Sequence, residues 1–194
     1  MQKNILGTIL CGGKSERMGK NKSFLLYNEK TFVEKIFDTM QLVFENIVVS
    51  ANDIETYNFL NTKVVSDIYK NFGPLAGIHS VFSSFKKDIF VVTCDIPLIT
   101  TEIIEMILKT NDFKKDIVIC SVGGKSQYLC GYYSFHIFEK LDLYLKNGNC
   151  SVKNFLVSLN TQTIFLQEKY LNYFSNVNSK DDYKKLTLNL YSNL

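Results

Sequence analysis

The sequence contains no tryptophan, only two prolines and only two histidines in 194 residues. So little proline, together with ten glycines, argues against disordered linkers and repeated turns. The two histidines, His79 and His136, and the lack of a Cys-x-x-Cys pair argue against a zinc site. No run reaches the roughly 18 apolar residues of a transmembrane helix, and the first apolar run lacks a signal-peptide cleavage site. We therefore expect a cytoplasmic protein that does not bind membranes.

The cysteine and charge patterns argue against a disulfide-bonded protein and against a nucleic-acid-binding protein. Because the cysteines are odd in number and four lie in or beside apolar runs, buried reduced thiols explain them better than disulfides. The net charge of +3 arises from scattered lysines, which indicates a mildly basic solvated surface and no nucleic-acid partner. The five cysteines are Cys11, Cys94, Cys120, Cys130 and Cys150.

Alternating apolar runs and amphipathic segments predict an α/β protein with a mostly parallel sheet. Hydrophobic residues make up 46% of the chain, and 15 phenylalanines and 11 tyrosines supply core material for one domain over residues 1–194. The predicted strands are Ile5–Cys11, Ile47–Ala51, Lys63–Ser66, Ile89–Cys94, Ile117–Val122 and Leu129–Tyr133. The predicted helices are Thr31–Phe44, Pro74–Phe85, Thr101–Lys109 and Phe135–Lys146.

The loop after the first predicted strand has the composition of a phosphate-binding turn. Gly12 and Gly13 allow backbone amides to approach an anion, and Arg17 and Lys22 add fixed positive charge. The five residues between Gly13 and Gly19 do not fit the four-residue spacing of a P-loop. Glycines and basic residues alone are equally consistent with a flexible lysine-rich surface loop.

Two later segments point to the same edge of the sheet, where ligands bind in open parallel sheets. Asp95 follows an apolar strand, and one carboxylate is enough for Mg²⁺ when phosphates supply other ligands. A turn or helix cap is the alternative for Asp95, but its expected position opposite the glycine loop favours the metal. Gly73 and Pro74 open a helix whose first amides favour an anion.

Three motifs resemble those of the molybdenum cofactor guanylyltransferase (MobA) family of nucleotidyltransferases. The run from Leu10 to Lys22 is similar to the signature L-x-G-G-x-S-x-R-M-G-x-x-K. Cys94-Asp95-Ile96-Pro97 resembles its metal-binding C-D-x-P motif, and Gly-Pro-Leu-Ala-Gly at 73–77 is typical of its guanylyl-transferring branch. The resemblance implies a Rossmann-like three-layer α/β/α fold, with a nucleotide half at about 1–100 and an acceptor half at about 101–194.

The resemblance also implies roles for individual residues. Arg17, Lys22 and Asp95 would be catalytic, with Asp95 as the metal ligand. The chain departs from the family pattern at Asn21, where aspartate is usual, at Ser50, where asparagine is common, and at Tyr128, where proline is frequent. The implied nucleotide-binding residues are Leu10, Cys11, Gly12, Gly13, Lys22, Ser50, Asn52, Asp67, Gly73, Pro74 and Asp95. The implied acceptor-binding residues are Lys125, Gln127, Asn176 and Asn178.

The reaction implied by the resemblance is a Mg²⁺-dependent transfer of GMP from GTP to the terminal phosphate of molybdopterin or the molybdenum cofactor. The products would be a guanine dinucleotide cofactor and pyrophosphate. Cofactor-insertion proteins and recipient molybdoenzymes are further implied partners. The alternatives are a cytidylyltransferase, a sugar-phosphate nucleotidyltransferase, and a non-catalytic protein that binds nucleotide and carries the cofactor.

Overall fold

The structure is a computed structural model that describes residues 1–12, 21–111 and 113–191. Its strands are β1 Ile5–Leu10, β2 Leu26–Tyr27, β3 Lys30–Thr31, β4 Ile47–Ser50, β5 Lys63–Val65, β6 Asp88–Thr93, β7 Ile117–Val122, β8 Lys125–Tyr133 and β9 Thr161–Phe165. Its α-helices are α1 Phe32–Gln41, α2 Pro74–Phe85, α3 Thr101–Thr110, α4 Phe138–Lys146, α5 Val152–Val157 and α6 Lys180–Tyr191. Short 3-10 helices cover Lys22–Phe24, Glu55–Leu60, Phe135–Ile137 and Glu168–Phe174.

Seven strands form one sheet in the order β5-β4-β1-β6-β8-β7-β9, and β2 pairs with β3 in a separate hairpin. The neighbouring pairs among β5, β4, β1 and β6 are parallel, as are β7 and β9. Strand β8 runs antiparallel to both of its neighbours. The predicted α/β class with a mostly parallel sheet is therefore confirmed.

Helices cover both faces of this sheet, which makes three layers. Along β1, Ile5 and Ile9 pack into the core shared with α1 and α3. Leu6 and Leu10 alternate with them and pack into the core shared with α2, α4 and α5. Burial on both faces explains why the central strands consist of nearly continuous apolar residues.

The element boundaries follow from local chemistry where the sequence carries a signal. Thr31 and Glu34 form a capping box at the start of α1, with Glu34 Oε2 accepting from the Thr31 amide at 2.7 Å. Gly123 and Gly124 both have positive φ and join β7 to β8, so this strand begins at Lys125, four residues before the predicted start at Leu129.

The C-terminal helix α6 packs back against the first part of the chain. Leu186 of α6 and the nearby Val177 are buried against Phe32 at the start of α1. Tyr183 donates a hydrogen bond of 2.8 Å to the main-chain oxygen of Leu26 in β2. Within the described residues, none of the helices combines the length and the apolar character needed to cross a membrane.

Candidate functional site

A cavity of about 800 Å³ opens at the carboxyl ends of the parallel strands. Strands β4 and β5 lie on one side of β1 in the sheet, and β6 lies on its other side. The strand order therefore reverses between β1 and β6. This reversal is where open α/β sheets bind their ligands. The cavity is lined by Leu10, Cys11, Gly12, Asn21, Lys22, Ser50, Ala51, Asn52, Asp53, Tyr57, Asp67, Asn71, Gly73, Pro74, Gly77, Thr93, Cys94, Asp95 and Leu129.

Most of the residues predicted to bind nucleotide line this single cavity. Gly13, predicted to bind nucleotide, and Arg17, predicted to be catalytic, lie outside the described residues, and their roles remain predictions. The other predicted residues line the cavity together: Leu10, Cys11, Gly12, Lys22, Ser50, Asn52, Asp67, Gly73, Pro74 and Asp95. The cavity thus gathers segments that follow β1, β4, β5 and β6 in the sequence.

Backbone hydrogen bonds join the segments that leave β1, β4 and β6. The amide of Cys94 donates to the main-chain oxygen of Leu10 at 3.1 Å, and the amide of Cys11 donates to that of Ser50 at 2.9 Å. The thiols of Cys11 and Cys94 interact: burial and then Cys94 raise the pKa of Cys11, and the hydrogen bond with Cys11 lowers the pKa of Cys94. Both cysteines belong to the lining of the cavity, and they also pack into the apolar core beneath it.

Asp95 is held at the end of β6 by side-chain and main-chain contacts. The hydroxyl of Thr93 donates a hydrogen bond to Asp95 Oδ1. The main-chain oxygen of Asp95 accepts a hydrogen bond of 3.0 Å from the amide of Val177, which lies just before α6. The side-chain bond fixes the half-buried carboxylate at the cavity wall, and the main-chain bond ties the segment after β6 to the C-terminal part of the chain.

Lys22 begins a 3-10 helix that is held by a small polar network. Asn21 caps this helix, because its Oδ1 accepts from the Ser23 amide at 3.1 Å. The Asn21 side-chain amide donates to the Tyr57 hydroxyl at 3.1 Å, and that hydroxyl donates to Ser23 Oγ at 3.1 Å. Burial raises the pKa of Tyr57, so its hydroxyl keeps its proton and remains a donor. Sequence reasoning identified Asn21 only as a departure and missed Tyr57.

A second polar network forms the wall beyond β4 and β5. The side-chain amide of Asn52 donates to Asp67 Oδ2 at 2.9 Å, and the Asp67 amide donates back to Asn52 Oδ1 at 3.1 Å. Lys70 Nζ donates to the same Asn52 oxygen at 2.9 Å. The sequence motifs identified Asn52 and Asp67 but gave no signal for Lys70.

Two glycines bring backbone close to the cavity at the start of α2. Gly73 precedes the helix with φ of 67°, a conformation that favours glycine. A side chain at Gly77 would place its Cβ 2.6 Å from Ser50 Oγ, so the absence of a side chain allows Ser50 to lie against the helix. The serine at position 50 thus belongs to a close helix–strand contact.

None of the four predicted acceptor residues belongs to the lining of the cavity. Lys125 and Gln127 are at the start of β8, and Leu129 of the same strand reaches the cavity. Asn176 is exposed, whereas Asn178 contacts a residue of the cavity lining: its Oδ1 accepts a hydrogen bond of 2.6 Å from Lys22 Nζ. The structure thus connects Asn178 to the cavity through Lys22, and it shows no such contact for the other three.

The donor set of the cavity fits a magnesium ion that shares its ligands with a phosphate. No group of three or more histidine, cysteine, aspartate or glutamate residues suited to a metal occurs among the residues that the structure describes. Asp95 and Asp67 nevertheless present carboxylate oxygens on the same cavity. One carboxylate with phosphate oxygens and waters is a known Mg²⁺ environment, so Asp95 fits the metal in company with a polyphosphate, whereas Asp67 follows β5, which β4 and β1 separate from β6 in the sheet.

The strand order and the position of the cleft define an open α/β domain with a ligand site at the reversal of the sheet. The chain belongs to the family described as MobA-like NTP transferase domain, whose family model matches residues 7–161. The predicted membership of this family is therefore confirmed.

Curated relatives and solved structures agree with this assignment. The chain is 34% identical over 189 residues to a probable molybdenum cofactor guanylyltransferase of Clostridium perfringens strain 13, covering 92% of this chain and 93% of the relative. It is 28% identical over 183 residues to a protein of that name from Flavobacterium johnsoniae, covering 94% and 96%. Molybdopterin-guanine dinucleotide biosynthesis protein A from Archaeoglobus fulgidus superposes with a TM-score of 0.81 at 21% identity, covering 98% of this chain and 100% of that one.

Proposed function

We propose that the chain transfers GMP from GTP to the terminal phosphate of molybdopterin or the molybdenum cofactor, releasing pyrophosphate and forming the guanine dinucleotide. The observation that carries the proposal is the convergence of Gly12, Lys22 and Asp95 on one cavity at the β1–β6 reversal. Membership of the family and the names of its relatives support the same reaction. The proposal includes a cytoplasmic site of action and delivery to cofactor-insertion proteins or recipient molybdoenzymes.

The residues of the chain act by alignment and by charge neutralisation. The attacking phosphate oxygen of the acceptor is already anionic, so no strong general base is needed. Its new bond to the α-phosphorus replaces the bond to the oxygen that leaves with pyrophosphate. Lys22 stabilises the leaving pyrophosphate, Arg17 adds a second cation, and the backbone after β1 orients the triphosphate through Gly12.

Asp95 is the residue that would hold Mg²⁺, with triphosphate oxygens and waters as the remaining ligands. When bound, the ion supplies positive charge that neutralises the phosphate oxygens. Thr93 orients the carboxylate of Asp95 by its hydrogen bond. Asp67 lies on the opposite part of the wall and is oriented by Asn52, which supports a role for this pair toward the nucleoside.

The choice of GTP over CTP rests on the start of α2. The Gly73-Pro74 turn and the helix amides behind it line the cavity, and the family resemblance associates this block with guanylyl transfer. A cytidylyltransferase and a sugar-phosphate nucleotidyltransferase remain the alternative enzymes. A non-catalytic carrier of nucleotide and cofactor remains the alternative without chemistry.

The direct test is pyrophosphate release by the purified chain with Mg²⁺, molybdopterin and each of GTP, CTP, ATP and UTP in turn. We expect release with GTP only, and loss of release when EDTA removes the metal. Release with CTP alone would replace the guanylyl assignment by cytidylyl transfer. Tight binding of GTP by calorimetry without any release would favour the carrier.

A further inference from the structure

The contact between Lys22 and Asn178 joins two parts of the chain that are 156 residues apart in sequence. Lys22 Nζ donates to Asn178 Oδ1 over 2.6 Å, a short bond strengthened by the charge of the ammonium group. The family model ends at residue 161, so Asn178 lies beyond the segment that defines the family. The C-terminal segment therefore supplies a contact to the central cation of the nucleotide cavity.

Asn178 and the preceding Val177 are together held by three contacts. Its amide donates to Asp182 Oδ2 at 3.0 Å, as part of the cap at the start of α6. The preceding Val177 is buried beside Phe32, and its amide donates to the main-chain oxygen of Asp95 at 3.0 Å. The segment 177–178 thus contacts both the ammonium group of Lys22 and the main chain of Asp95, the proposed metal ligand.

We propose that Asn178 is a positioning residue that holds the ammonium group of Lys22 toward the triphosphate. Fixing a lysine side chain costs conformational entropy. If Asn178 already holds the side chain of Lys22 in the folded protein, less of that entropy is lost when the nucleotide binds. An amide oxygen does this without neutralising the positive charge, whereas a carboxylate would compete with the phosphates. An ammonium group has three donor hydrogens, so it can serve Asn178 and a phosphate oxygen together.

This inference rests on the proposed function and changes the role expected for Asn178. Sequence resemblance implied that Asn178 contacts the acceptor. A residue that positions Lys22 affects the KM for GTP, whereas an acceptor ligand affects the KM for molybdopterin. The two roles therefore separate in steady-state kinetics.

The test is calorimetric titration of the full chain with Mg²⁺ and GTP. We expect Asn178→Ala to weaken GTP binding by about 3- to 10-fold and Asn178→Asp to weaken it further. Asn172→Ala is the matched control, because Asn172 is an exposed amide of the same C-terminal part of the chain. Thermal unfolding of each variant checks that the fold is retained.

A double-mutant cycle with Lys22→Ala decides whether the effect passes through Lys22. We expect Asn178→Ala to have no further effect on GTP affinity once Lys22 is removed. An unchanged affinity in Asn178→Ala, an equal loss in both backgrounds, or a rise only in the KM for molybdopterin would overturn the inference. Binding of CTP in place of GTP would reject the guanylyl proposal. The double-mutant cycle repeated with CTP would then still test whether Asn178 positions Lys22. Binding of none of the four triphosphates would reject both.

Discussion

The side-chain amide of Asn21 lies 3.1 Å from the hydroxyl oxygen of the buried Tyr57 and donates a hydrogen bond to it. That arrangement leaves the Tyr57 proton for Ser23 Oγ, while Asn21 Oδ1 caps the 3-10 helix that begins at Lys22. The side chain of Asn21 thus donates through its nitrogen and accepts through its oxygen at the same time. A carboxylate of the same shape has acceptors only and cannot reproduce this pattern.

We therefore predict that Asn21→Asp weakens GTP binding in this chain, although aspartate is usual here in the family. The carboxylate would take the Tyr57 proton away from Ser23 and add negative charge close to the triphosphate. We expect a loss of affinity of about 5-fold or more, measured by calorimetry with Mg²⁺ present. Tyr57→Phe removes the same hydroxyl without adding charge, so we expect a smaller loss. Equal or tighter binding by Asn21→Asp would contradict the role given to the amide.

For Asp95, we predict that Asp95→Asn lowers the rate of pyrophosphate release by at least about 100-fold with little change in thermal stability. The amide keeps the size of the side chain and can still accept from Thr93, but it removes the charge that would hold Mg²⁺. Asp181→Asn is a suitable control, because Asp181 is exposed on α6. A folded Asp95→Asn variant with normal turnover would remove Asp95 from the mechanism.

A polar cluster around His79, between α2 and α4, predicts that the stability of the fold depends on pH. His79 of α2 is buried, and its Nε2 lies 3.1 Å from Asp142 Oδ1 of α4. Asp142 also accepts from the Tyr69 hydroxyl at 2.7 Å and pairs with Lys146 Nζ at 2.6 Å. The Lys146 contact, followed by the Tyr69 hydrogen bond, lowers the pKa of Asp142 to about 2. Burial lowers the pKa of His79 and outweighs the opposing effect of Asp142.

Because the pKa of His79 is lower in the folded state, the unfolded state takes up a proton more readily as the pH falls. Stability from this group is present above about pH 6.5 and is lost below it, by at most about 1.4 kcal/mol per pH unit. We predict that the free energy of unfolding in urea falls between pH 7 and pH 5, and that His79→Phe makes this fall shallower. His136→Gln, at an exposed position, provides the control. An equal slope in wild type and His79→Phe would show that other groups cause it.

Gly131 predicts a sharp steric limit within the antiparallel part of the sheet. A Cβ atom there would lie 2.3 Å from the main-chain oxygen of Val118, next to the irregular pairing of Ile119 and Cys120. We expect Gly131→Ala to lower the free energy of unfolding by about 3 kcal/mol, because a backbone atom cannot move aside cheaply. At Gly7 the nearest atom is the flexible end of Met40, at 2.9 Å, so Gly7→Ala should cost less. The reverse order in urea unfolding would contradict this packing argument.

The fold was predictable where burial dictates the residue types. All six predicted strands exist, and central parallel strands such as β1 and β6 carry nearly continuous apolar residues because helices cover both of their faces. Strand β9 gave no such signal, since Thr161–Phe165 is an edge strand with half-exposed threonine and glutamine side chains. The strand at Leu129–Tyr133 was predicted, but the antiparallel direction that the turn at Gly123 and Gly124 imposes on it was not recognised from the sequence.

The candidate site was predictable to the extent that its residues occur in recognisable motifs. Lys22 and Asp95 were identified because each belongs to a motif or follows a strand. Tyr57 and Lys70 belong to neither, and their contacts with Asn21 and Asn52 arise only after the chain has folded. The contact of Asn178 with Lys22 likewise depends on the return of α6, which short-range patterns do not encode.

The paired thiols of Cys11 and Cys94 have a practical consequence for handling the protein. Sulfur ligands favour soft metals, and both cysteines belong to the lining of the same cavity that we assign to the triphosphate. A mercury reagent that reaches the half-buried Cys94 would therefore bind beside that space. Heavy-atom derivatives and nucleotide complexes should then be prepared from separate crystals, with the mercury removed by a dithiol before any assay.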